Sequence, residues 1–214
     1  LSIKLKDFEE LIPISRNIKN EFVQECIKYI KETLYTNNHL NEDYPCIINK
    51  THLDRLLSLI ETPKIAFGGK AYNLQLEPTI LDNVTFKDKC MQEEIFGPIL
   101  PIITYEDFKD VIPLLIDKEK PLALYIFSND KKEINNIISK LSFGGGCIND
   151  VIMHLTNENL PFGGVGYSGM GSYHGKQSFI TFSHQKSIFK KGKIELPFKY
   201  TKNLKVVKKI TKIK

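Results

Sequence analysis

Apolar residues recur every fourth position at Ile18, Phe22, Cys26, Ile30 and Leu34, the stripe of an amphipathic helix. A second helix is predicted from Thr51, whose hydroxyl can cap the first turn while Asp54 reaches back; its core face is Leu53, Leu56, Leu57 and Ile60. KIAFGG then reads as a short strand ended by Gly68 and Gly69. The apolar run PILPIITY, residues 98–105, predicts a buried strand, and Glu106 and Asp107 open a helix through VIPLLI, where acids suit the positive end. Pro113 is tolerated there if it lies in the first turn. PLALYIFS, residues 121–128, predicts another strand. Asp130 and Glu133 form a capping pair for KKEINNIISKL, Gly144 is placed to end that helix, and GGGCIND supplies a last short strand. Strands alternating with helices imply crossover units, hence an α/β fold with a mainly parallel sheet. No internal repeat interrupts this order. Beyond about residue 182 it changes: SHQKSIFKK alternates as an exposed strand does, and a lysine-rich tail follows.

Charge sharpens that division. The net charge is +5, yet residues 190–214 hold ten lysines and one glutamate, so the body before them is mildly acidic. A basic tail can meet nucleic acid or anionic lipid. No aromatic ladder or base-reading motif accompanies these lysines, so nucleic acid is not expected and a solvated extension, with weak membrane-surface contact, is. The start, LSIKLKDFEE, does not read as a signal peptide, and no apolar run reaches the roughly 18 residues of a membrane span. Cys26, Cys46, Cys90 and Cys147 are scattered without a C-x-x-C pair, and the five histidines are equally dispersed. No metal site is expected, and lone thiols suit a reducing cytoplasm.

The chemistry concentrates in two stretches. In LPFGGVGYSGMGSYHGKQSF, residues 160–179, Gly164, Gly166 and Gly169 have G-x-G-x-x-G spacing. A dinucleotide fingerprint also needs an apolar strand before it, a helix after it and an acid some 20 residues on. Polar HLTNENLPF precedes this run, Gly171 and Gly175 weaken any helix after it, and no Asp follows Gly169. No G-x-S-x-G elbow is present either, and no acid pairs with His174. What remains is a glycine-dense loop presenting Phe162, Tyr167, Tyr173 and His174. In MQEEIFGPILPI, residues 91–102, Glu93 and Glu94 precede a stiff Phe96-Gly97-Pro98 turn and a buried strand. A carboxylate and a ring on such a turn can hold a sugar diol and an aromatic heterocycle.

Together, EEIFGP, KPLALYIFS, GGGCINDVI and PFGGVGYSGMGSYHGK…F…FSH, in this order, resemble the aldehyde dehydrogenase superfamily, and its class 3, fatty-aldehyde branch in particular. The similarity runs over about residues 18–187. It implies the parallel-sheet catalytic-domain portion of that fold over residues 1–186, a subunit-bridging strand over residues 187–195 and a basic C-terminal tail over residues 196–214. It further implies that Glu94 holds the nicotinamide ribose hydroxyls of NAD or NADP, that Phe96 packs beside the nicotinamide, and that Phe162 lines the aldehyde path.

The reaction of that family uses a Cys thiolate to attack the aldehyde, passes hydride to the cofactor and hydrolyses a thioester through a Glu-activated water. The nucleophile of its GQ-x-C segment is expected near Lys6, where LSIKLKDFEELIPISRN has neither Cys nor that motif. The segment carrying the general base and the body of the cofactor domain are likewise not in these residues. The chain resembles roughly the second half of such an enzyme. No catalytic residue is therefore assigned, and Cys90, beside EEIFGP, is the least implausible substitute. The expected partners are an aldehyde and either a second copy or a complementing N-terminal half, in the cytoplasm or peripheral at a membrane. Two other functions stay open: a non-catalytic remnant acting by association, and surface binding by the tail.

Overall fold

The computed structural model describes residues 2–6, 12–193 and 205. It divides into a compact unit, Leu1–Phe182, and a second unit, Ser183–Lys214. In the first, a seven-stranded sheet is built from β1 (Ser2–Lys6), β2 (Ile12–Ser15), β3 (Ile65–Phe67), β4 (Thr79–Leu81), β5 (Ile99–Tyr105), β6 (Ala123–Phe127) and β7 (Gly145–Ile148). Their order across the sheet is β7-β6-β1-β2-β5-β4-β3. The pairs β6–β7, β2–β5 and β4–β5 are parallel, whereas β1 runs antiparallel to both its neighbours and β3 antiparallel to β4. Five strands thus share one direction, as the alternating pattern predicts.

Alternation along β5 decides the layers. Ile102 of β5 joins Ile14, Ile80 and Val23 on one face, under α1 (Arg16–Leu34). Ile99, Ile103 and Tyr105 join the larger core on the other. That core is closed by α2 (Lys50–Leu59), α3 (Phe108–Ile116) and α4 (Lys131–Lys140). Two short hairpins, Tyr35–Thr36 with His39–Leu40 and Ala71–Tyr72 with Gln75–Leu76, flank the sheet. The helices α5 (Met153–Thr156) and α6 (Gly175–Thr181) bracket the glycine-dense loop.

Several local predictions need correction. Ile18 is 41% exposed, and the buried stripe of α1 begins a turn later, where Phe22, Val23, Cys26, Ile27 and Ile30 meet the sheet. The cap of α2 is Asn49, whose side chain accepts the His52 amide at 2.8 Å; Asp54 pairs instead with Lys50. Pro113 lies inside α3 rather than in its first turn. Asp107 caps α3 through the Lys109 amide at 2.9 Å and fixes that start, so the burial of Phe108, Val111, Ile112 and Leu115 outweighs the bond that exposed Pro113 removes. Asp130 caps α4 as expected, but Glu133 takes the Ser128 hydroxyl rather than reaching back to the cap amide. Nor does Gly144 end α4, which stops at Lys140 with Leu141 extended. A glycine helix start is accepted after all, since α6 opens on Gly175. Among the described residues 183–193 no strand is formed. The expected bridging strand over 187–195 is not formed by its described residues 187–193, its last two residues lie outside the described ones, and so does the tail over 196–214 apart from Lys205.

Candidate active site

Residues 92–98 reach β5 through a turn anchored from below. Asp88 holds that anchor: its carboxylate accepts the Thr85 amide at 2.6 Å and pairs with Lys64, while Met91 and Ile95 are fully buried. Burial works to raise the Asp88 carboxyl, but the Lys64 ammonium and the Thr85 bonds outweigh it and hold the group below its ordinary range. At the tip, Phe96 has φ +48 and Gly97 packs so closely on α2 that a Cβ there would come within 2.5 Å of Leu56 Cδ2. A bulky residue at positive φ is uncommon and persists only where its surroundings impose it.

The imposing groups are on α2. The Arg55 guanidinium donates to Glu93 Oε1 at 2.5 Å, to the Glu94 carbonyl at 3.2 Å and to the Ile95 carbonyl at 2.6 Å. The His52 ring bonds the Phe96 carbonyl at 3.1 Å, and Arg55 Nε reaches His52 Nδ1 at 3.3 Å. Glu93 is thus paired while remaining exposed. Among the described residues, no ion pair engages the Glu94 carboxylate, which is half-buried, and the Phe96 ring is 73% exposed. Sequence reasoning missed Arg55 and His52. A signal existed: Arg55 is one of two arginines in a chain whose other basic residues are lysines, and three acceptors in one loop suit five fixed donors.

Phe162 is held differently. Its backbone exchanges two hydrogen bonds with Tyr173, each 2.9 Å, pinching residues 162–173 into a closed loop. A Cβ on Gly163 would collide with the Gly171 carbonyl, and one on Gly164 with the Ser168 carbonyl. Gly144 leaves the same kind of room for the Gly163 carbonyl, which is the reason for a glycine at that position. The loop amides turn inward: Val165 donates to Ser168 Oγ at 2.9 Å and Gly169 to the Gly166 carbonyl at 3.3 Å. Within the G-x-G-x-x-G spacing, Gly164 therefore serves backbone packing, while Gly166 and Gly169 supply positive φ for the turn. Around Phe162 the rings of Tyr173 (5.6 Å), His174 (5.7 Å, stacked) and His154 (6.0 Å) form one aromatic cluster, to which Tyr125 of β6 adds at 5.7 Å from His154.

Both loops lie at the amino-terminal ends of same-direction strands, Gly97-Pro98 leading into β5 and Gly144 into β7. Four strand intervals separate β5 from β7, roughly 19 Å across a sheet. The loops also attach to opposite faces, because Ile95 enters the larger core whereas Tyr125 alternates with core residues Leu124 and Ile126 and so faces away from it. Of the four thiols, Cys90 is 2% exposed, and burial pushes it up to about 11. That removes it as a substitute nucleophile. Among the described residues no group of His, Cys, Asp and Glu could hold a metal ion, and no helix is long and apolar enough to cross a membrane.

Residues 10–188 match the aldehyde dehydrogenase family. The chain is 46% identical over 191 residues to 4,4'-diaponeurosporen-aldehyde dehydrogenase of Staphylococcus aureus, a match covering 87% of this chain and 42% of that protein. It is 49% identical over 178 residues to aldehyde dehydrogenase family 3 member A2 of Mus musculus, covering 82% and 37%. Its fold superposes on the substrate-bound state of Staphylococcus aureus AldH with a TM-score of 0.80 and 43% identity, covering 94% of this chain and 46% of that one. The chain spans about two fifths of the length of the curated relatives it matches.

Proposed function

The chain belongs to the aldehyde dehydrogenase family, a family of oxidoreductases, and from that premise we propose that it serves NAD- or NADP-dependent oxidation of fatty aldehydes to carboxylic acids as the carboxyl-terminal portion of a class 3-like enzyme. Glu94 accepts hydrogen bonds from the nicotinamide ribose hydroxyls, and Phe96 lies against the nicotinamide. The residues present fit that end of a dinucleotide: an unengaged, half-buried carboxylate and an exposed ring stand two positions apart on a turn whose carbonyls are fixed by Arg55 and His52. The cofactor, when bound, supplies the hydride acceptor. Phe162, backed by Tyr173 and His174, offers an apolar aromatic wall to an alkyl chain. The attacking thiolate and the base for water come from polypeptide beyond these 214 residues. A covering chain, either that complementing half or a second copy, is supported by exposed Ile148, Val151, Ile152 and Met153. Residues 187–195 are proposed to pair with a subunit edge, with the tail at a membrane surface and the protein in the cytoplasm.

The observation that carries this reading is the Arg55 clamp, which orders a loop while leaving Glu94 available. Its test uses a chimera in which these residues replace the matching segment of the Staphylococcus aureus relative. The chimera reduces NAD or NADP with a long-chain aldehyde, and Glu94→Gln raises the cofactor KM about tenfold, because bonds to a charged acceptor contribute about 1.5–3 kcal/mol each. The chain by itself yields no reduced cofactor. Turnover by the chain alone, or an unchanged KM in the Glu94→Gln chimera, would sink this assignment.

A further inference from the structure

Strand β7 alternates its side chains, so Gly145 and Cys147 share a face. The His154 ring, delivered from α5 and itself 7% exposed, lies over Gly145, where a Cβ would come within 2.9 Å of Cδ2. The missing side chain lets the imidazole settle on the strand, and its Nδ1 meets Cys147 Sγ at 3.6 Å, within hydrogen-bond reach of a thiol. Tyr125, opposite Cys147 in the parallel register, and Phe162 flank the same imidazole. The other thiols are placed differently. Cys90 is buried and pushed up, Cys26 packs against the smaller core, and Cys46 is exposed with no base in bonding reach among the described residues. Cys147 is half-buried, so solvent reaches it.

We propose that Cys147 and His154 form a nucleophile–base pair beside the Phe162 cluster, a modification site for soft electrophiles and for α,β-unsaturated aldehydes in particular. A Cys reacts as its thiolate, and an adjacent imidazole supplies it by taking the proton. Sγ bonds to the β-carbon of the enal as the S–H proton passes to His154 Nδ1. The carbon–carbon π pair moves to an enolate, which regains the aldehyde when the imidazolium returns the proton to the α-carbon. One S–C and one C–H bond form, one S–H and one π bond break, and no oxidant is consumed. The pairing of thiol and base stands on the distances alone; the choice of an aldehyde electrophile rests on the reading of Phe162 as part of an aldehyde path.

The test treats the full chain at neutral pH with limiting iodoacetamide and reads each cysteine by peptide mass spectrometry. Cys147 is expected to alkylate about tenfold faster than exposed Cys46, a lone thiol serving as internal standard. His154→Gln is expected to bring Cys147 down to the Cys46 rate. In a second arm, acrolein adds first to Cys147, whereas propanal, lacking the double bond, leaves no stable adduct. Alkylation of Cys147 no faster than Cys46 overturns the pair. Iodoacetamide selectivity without acrolein selectivity overturns the aldehyde class alone. Should His154→Gln fail to fold, the Cys147-to-Cys46 ratio in the native chain decides. Neither arm requires cofactor or turnover, so both are independent of the Glu94 readout.

Discussion

Residues 92–98 and residues 162–173 each bring an aromatic ring to the amino-terminal ends of the parallel strands, one on each face of the sheet. The first loop is held by side chains from elsewhere: Arg55 and His52 seize three consecutive carbonyls, and Ile95 plugs the core beneath them. The second is held by itself, through a two-bond backbone bridge, glycine-tight closure and ring stacking. A loop fixed by long-range polar contacts depends on one guanidinium. A self-closed loop depends on having no Cβ at its crossings. The first arrangement frees a carboxylate for a polar ligand, and the second leaves an apolar wall.

Substitutions at three positions sharpen this contrast. The largest effect is expected from Gly164→Val, which drives a branched side chain into the Ser168 carbonyl and lowers stability by about 3 kcal/mol. Urea midpoints measure it. Amide exchange should accelerate throughout residues 162–173 while residues 92–98 stay protected, and uniform acceleration would mean the loops are not independent.

Arg55→Met comes next. It strips two carbonyls and Glu93 of their donor and should cost about 2 kcal/mol, since bonds to charged groups are worth about 1.5–3 kcal/mol. Proteolysis is expected to open residues 92–98 and leave the Phe162 loop intact. Arg55→Lys does not restore protection, because one ammonium cannot address both carbonyls with the same fixed fork. Full rescue by lysine would reduce the clamp to simple charge.

The smallest effect is expected from Asp88→Asn, below about 1 kcal/mol at neutral pH. The sign follows from the carboxyl being held below its ordinary 3.8 in the folded chain. Its contribution is present above that value and is lost as pH falls through the lower folded value. Lys64, raised from its ordinary 10.5 chiefly by the Asp88 bond, contributes below 10.5 and loses that contribution as pH rises through the raised value. Plotted against pH, the wild-type minus Asp88→Asn difference in urea midpoint is therefore a plateau with an acid and an alkaline shoulder. A difference that grows on acidification contradicts the Asp88–Lys64 assignment.

How much of this was legible depended on the range of the forces. The strands at 99–105 and 123–127 are readable because burial on two faces writes a continuous apolar run, whereas the half-exposed edge strands at 65–67 and 145–148 are readable from the glycines beside them. Capping by Asp130 is readable because it acts across three residues, whereas the sequence reads Asp107 only as an acid at the positive helix end. Asn49 and Thr51 are both good caps by sequence, and only the packing of Leu53, Leu56 and Leu59 selects the register. EEIFGP and the glycine run were visible as motifs, but their supports were not: Arg55 is about 40 residues from the carbonyls it holds. The role of Gly144 reflects the same distance, since a residue that suits a helix end by local rules is needed by a carbonyl 19 residues later. The Cys147–His154 pair was invisible because it depends on an absent side chain at Gly145.

Ile95 is fully buried, yet the residues on either side of it are the half-buried Glu94 and the exposed Phe96. One apolar side chain therefore sets the phase of two surface neighbours, as a keyed shaft sets two cams. Changing its shape, to Val or Leu, would rotate carboxylate and ring together rather than separately. The contacts proposed for Glu94 and Phe96 can thus be tuned from a position buried beneath them.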